Sequence, residues 1–157
     1  MTSSISRYPV PELKDLPDDM RERMLQVQEK AGFIPNVFLA LAHRPEEFRA
    51  FVAYHDALML RPSGLTNGAV LRIYEKAPLL ADQIATNHLK ADITPRQKAM
   101  LAFAVKICRD SASVVDSELE ALRAEGFSDE DIWDIGAISA FFGLSNRMAD
   151  LMALRQP

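Results

Sequence analysis

Thr94-Pro-Arg-Gln-Lys-Ala-Met-Leu-Ala-Phe-Ala-Val-Lys-Ile-Cys108 is the stretch whose reading decides the fold. Thr94 is an N-cap residue, and Pro95 stands at the first helical position, where its missing N–H has no helical partner to lose. Met100, Phe103, Ala104, Ile107 and Cys108 then recur three and four apart. That period predicts a helix through Cys108 with one buried stripe.

The same punctuation continues towards the C-terminus. Asp116 or Ser117 opens a helix with Leu119 and Leu122 inward and Gly126 past its end. Ser128-Asp-Glu-Asp131 is a capping box with Asp in place of the usual Glu. It starts the most apolar segment, Ile132 to Leu154. From Ile132 to Leu144 that segment is apolar nearly all round, which predicts a central helix or a subunit interface. Trp133, Phe141 and Phe142 favour the interface. Asn146 and Arg147 interrupt it, with Asp150 in reach of a local pair. A hydrogen-bonded core or interface network is expected there, with a pocket lining as the alternative.

Towards the N-terminus, Met20, Met24, Val27 and Ala31 fall on one face of a helix from Pro17 to Ala31, closed by Gly32. Asn36 is expected to cap a short helix through Ala42. Pro45 opens the next, with Phe48, Phe51, Val52, His55, Leu58 and Met59 inward. That helix ends before Pro62 and Gly64. Further pieces are expected over Ala69–Glu75 and from Ala77-Pro78 to about His88, with Leu80 and Ile84 on one face. Pro9, Pro11 and Pro17 forbid a helix at the start, so residues 1–16 read as an extended arm. No stretch alternates with period two. The chain reads as one all-α domain spanning residues 1–157.

The bulk properties exclude several classes. Net charge is -4, and no basic run is present, which argues against nucleic acid or an anionic membrane as partner. The apolar run Ile135 to Leu144 is too short to cross a bilayer. The N-terminus lacks the pattern of a signal peptide. One cysteine excludes an intrachain disulfide and fits a reducing, cytoplasmic setting.

Candidate chemistry is sparse. Cys108 ends its helix, where the dipole disfavours a thiolate, so it reads first as a small buried side chain. His55 lies on an apolar helix face and reads as a core residue or as a proton relay beside a pocket. His43 and His88 end helices and read as structural. The three His lack metal-ligand spacing, and no metal site is expected. No phosphate loop, nucleophile elbow or dinucleotide fingerprint occurs, so no cofactor is expected.

One seam breaks the punctuation: Arg61-Pro-Ser-Gly-Leu-Thr-Asn-Gly68. Thr66 looks like an N-cap, yet Asn67-Gly68 is a turn pair that opens helices poorly. The flanks carry a resemblance. In order they are Gly32-Phe-Ile-Pro-Asn-Val-Phe38, Leu41-Ala-His-Arg-Pro45, Tyr54-His-Asp-Ala-Leu-Met59, Ser63-Gly-Leu-Thr66, Asp92 to Leu101, Glu120 to Glu130, and Ala140 to Asp150. Together they resemble the alkylhydroperoxidase (AhpD)-like, carboxymuconolactone decarboxylase superfamily, and within it the peroxidase-related proteins.

The resemblance implies a helical bundle and an antioxidant activity: thiol-dependent reduction of a hydroperoxide, inside a homo-oligomer. In catalytic members the Ser-Gly-Leu-Thr segment leads into a helix carrying a Glu, a C-x-x-C pair and a His. One Cys attacks the peroxide, the second resolves the sulfenic acid, and Glu and His pass the proton. That helix has no counterpart here. Asn67 falls where the family's His stands, and the Glu and both Cys are unmatched. The gap is roughly 20 residues, about 30 Å of helix. This leaves His55 and Cys108 as the candidate reactive side chains. The alternative function is a non-catalytic helical oligomer of the same fold, binding or structural. A lactone-decarboxylase-like activity is a weaker third.

Overall fold

The computed structural model describes residues 6–60, 83–84 and 86–154. The described residues hold six α-helices and no strand, so the protein is all-α. The chain divides into two compact units, residues 1–57 with 144–157, and residues 58–143. The seam with Asn67, the expected helix over 69–75 and most of that over 77–88 lie outside the described residues. Residues 83–84 and 86–87 are helical, and the chain leaves the helix at His88.

In the first unit, α1 spans Asp18–Ala31. Asp18 and Asp19 in its first turn complement the helix dipole. Gly32 ends it at φ 81°, in the left-handed region that glycine enters without steric cost, and its N–H donates to the Gln28 carbonyl at 2.8 Å. Met20 and Met24 are buried as the stripe predicts.

Helix α2 spans Asn36–Leu41 and departs from expectation at its start. Asn36 is its first helical residue, not its cap. Pro35 holds the cap position, and its carbonyl accepts from the N–H groups of Phe38 and Leu39. The restricted φ of proline places that carbonyl without help from a side chain.

Helix α3, Pro45–Met59, begins at the expected proline. Phe48 is buried, while Phe51, Val52, His55, Leu58 and Met59 are half-buried. Phe38 meets Phe48 and Phe51 edge-on, at centroid distances of 5.6 and 6.4 Å. Arg49 grips Asp19 with Nε and Nη2, tying α3 to α1.

The core of this unit gathers Leu16, Met20, Met24, Phe38, Leu41, Phe48 and Met152. Burying each large side chain contributes about 1.5–3 kcal/mol. Residues 6–12 form no helix or strand, bend at Arg7 and Tyr8, and lead into one 3-10 turn at Leu13–Asp15. Arg7 N–H and Ser6 Oγ both reach the Met152 carbonyl, at 3.0 and 3.4 Å. Tyr8 stacks on His43 with ring planes 8° apart.

In the second unit, α4 spans Pro95–Asp110 behind a complete capping box. Gln97 N–H donates to Thr94 Oγ1 at 3.2 Å, and Thr94 N–H donates to Gln97 Oε1 at 2.9 Å. Helix α5 spans Asp116–Ala124, so Asp116 is the opener. Glu118 reaches back to the Val115 N–H at 3.0 Å, and Gly126 closes the helix at φ 82°.

Helix α6 spans Asp129–Met152. Its predicted box forms: Asp131 N–H donates to Ser128 Oγ, and Ser128 N–H donates to the Asp131 carboxylate. The core here joins Phe103, Leu122, Phe127, Ile132 and Ile135. Trp133 stands out at 71% exposure, with Phe142 and Leu144 also exposed. Asn146, Arg147 and Asp150 are exposed, and no Arg147–Asp150 pair forms among the described residues. Among the described residues these three therefore form no buried network.

Candidate functional site

His55 projects from the third turn of α3, seven residues after the buried Phe48. Its Nδ1 lies 2.9 Å from Asp56 Oδ1. The same oxygen accepts from Arg23 Nη2 of α1 at 2.6 Å. One carboxylate oxygen has two lone pairs and can serve both donors. The three side chains are partly buried, with 30% of His55, 31% of Asp56 and 24% of Arg23 exposed. A half-buried carboxylate needs a countercharge, and the guanidinium supplies it. Arg23 Nε is buried without a hydrogen-bond partner among the described residues. Such a donor is unusual in a folded protein.

Cys108 lies at the C-terminal end of α4, in the other unit. The expectation of a buried thiol is overturned: Cys108 is exposed. Phe103, Ala104 and Ile107 carry the packing of that face, and Cys108 falls in the last turn, past Ile107. Its Sγ sits 3.5 Å from the Ser139 carbonyl, to which the S–H donates. Lys106 does not serve the thiol as a cation, because both oxygens of Glu118 bind its ammonium at 2.7 Å.

Each of the other histidines has its own surroundings among the described residues. His43 Nδ1 donates to the Ala40 carbonyl at 2.6 Å, as a helix-terminal residue should. His88 is half-buried, with Nε2 buried and unpartnered among the described residues. Among the described residues no group of three His, Cys, Asp or Glu side chains could hold a metal ion. No helix described is long and apolar enough to cross a membrane.

The sequence offers His55 as a candidate and gives neither Asp56 nor Arg23 beside it. The adjacent His-Asp pair was a visible signal. Nothing in the sequence joins residue 23 to residue 56.

This helical architecture has close counterparts of known structure. The crystal structure of an alkylhydroperoxidase AhpD core, an uncharacterized peroxidase-related protein from Ralstonia eutropha JMP134, is 59% identical. It matches 99% of this chain and 94% of its own, with a TM-score of 0.91. An uncharacterized peroxidase-related protein from Silicibacter sp. TM1040 is 32% identical over 98% of this chain and 92% of its own, with a TM-score of 0.86. No protein-family model matches the chain, and no curated protein does. Fold and likeness together define an all-α protein of the peroxidase-related class. The chain belongs to the alkylhydroperoxidase AhpD-like family.

Proposed function

We propose that this protein reduces hydroperoxides at the expense of a thiol, with His55 and Cys108 as its candidate reactive side chains. The observation that carries the reading is the likeness, over nearly the whole chain, to an alkylhydroperoxidase AhpD core. The half-exposed His55 ring, held by Asp56, supports it from the residues.

The chain holds one cysteine, so a two-cysteine cycle cannot run within it. A one-cysteine cycle would start from the Cys108 thiolate. Its sulfur takes one peroxide oxygen and becomes a sulfenic acid, while the other oxygen leaves as the alcohol after gaining a proton. An external dithiol then reduces the sulfenic acid, releases water and closes its own disulfide. The Cys108 S–H donates to the Ser139 carbonyl 3.5 Å away, and that bond is given up before the sulfur attacks. We also propose a homo-oligomer in the cytoplasm as the working form, for which the exposed Trp133 offers a contact.

The lack of a cysteine pair supports a second reading, a non-catalytic helical protein of this fold acting as a binding or structural component. Consumption of cumene hydroperoxide with dithiothreitol separates the two. Turnover above the protein-free rate that disappears in Cys108→Ser supports the reductase. No turnover, in a protein whose intact mass and single titratable thiol match the sequence, overturns it in favour of the second reading.

A further inference from the structure

We infer that Asp56 is a positioning residue that fixes the tautomer of His55, and that Arg23 holds Asp56 in place to do so. A carboxylate oxygen accepts hydrogen bonds and donates none when ionised. At 2.9 Å from Asp56 Oδ1, His55 Nδ1 therefore carries the hydrogen. In the neutral ring this makes Nε2 the basic nitrogen. Free imidazole side chains in water favour the opposite form, with the hydrogen on Nε2.

The arrangement needs an anchor, because Asp56 neighbours His55 on the same helix. Successive side chains of a helix point about 100° apart, so an unrestrained aspartate would turn to solvent. Arg23 prevents this from α1, 33 positions away, through the 2.6 Å contact of Nη2 with the same oxygen. The guanidinium is planar, and its rigid fork fixes where the carboxylate oxygen sits. A base oriented by a third group is the general form of an activated proton acceptor. The inference rests on the reading of His55 as a reactive side chain. Its test does not use turnover, so the two can fail separately.

The test is the long-range nitrogen–proton NMR spectrum of the histidine rings in the full chain. It is recorded at the alkaline end of a pH series, where the ring signals no longer move with pH. His55, assigned through His55→Gln, is expected to show the Nδ1–H pattern as its major form. In Asp56→Ala the Nε2–H form is expected to become the majority, and in Arg23→Met the ratio is expected to fall between the two. A wild-type His55 with the hydrogen mainly on Nε2 overturns the inference, whatever the variants do. A ratio unchanged in a folded Asp56→Ala protein overturns it as well.

Discussion

The Lys106 ammonium meets both carboxylate oxygens of Glu118 at 2.7 Å, and this pair ties α4 to α5. Glu118 also caps its own helix by accepting from the Val115 N–H. The Lys106 hydrogen bonds, then that of Val115, hold the carboxyl below its ordinary value of 4.5, against a small opposing effect of burial. A carboxyl lowered in the folded state stabilises fully above its unfolded pKa and loses that contribution as pH falls through the folded value. Glu118→Gln is therefore expected to lower the thermal midpoint at pH 7. The difference from wild type should shrink once the pH drops well below 4.5. Melting curves across that range check it, and a constant difference would count against the pair.

Thr94 and Gln97 satisfy each other's backbone N–H groups at the start of α4. Thr94→Ala is expected to destabilise the fold by about 1 kcal/mol, and Thr94→Ser by much less, since the hydroxyl is kept. Urea unfolding of the two variants decides whether the cap acts as the geometry indicates.

Gly126 sits at φ 82°, and a Cβ built there meets nothing within 4 Å. Gly126→Ala thus carries a backbone penalty alone, about 1–2 kcal/mol. Gly126→Asn should recover part of it, because asparagine tolerates the left-handed region. Equal losses for Ala and Asn in the same unfolding assay would point to packing instead.

The exposure of Cys108 predicts that Ellman's reagent titrates one thiol in the native protein without denaturant. Cys108→Ser keeps a donor for the Ser139 carbonyl and should change stability by no more than about 0.5 kcal/mol. A thiol that reacts only after unfolding would restore the buried reading.

The legible parts of this fold are those where local rules and packing agree. Thr94-Pro95, Ser128 to Asp131, Gly32 and Gly126 punctuate helices through backbone chemistry that acts within four residues. Met20, Met24, Phe48 and Phe103 announce burial through spacing. Cys108 was misread because periodicity gives an angle around the helix and not where packing stops along it. Asn36 was misread because a proline can take the cap position with its carbonyl alone. The Arg23–Asp56 contact was out of reach for a different reason. It is set by how α1 lies against α3, and no spacing along the chain encodes that.

The shared acceptor at Met152 has a consequence for how the chain is made. Ser6 leaves the ribosome 146 residues ahead of Met152. The first unit takes residues from both ends, so its hydrophobic cluster is incomplete until α6 has left the ribosome. Until then Met20, Met24 and Phe48 wait without Met152, which packs among them in the finished protein. A nascent chain stalled before residue 144 lacks part of the first unit and is a natural client for a chaperone.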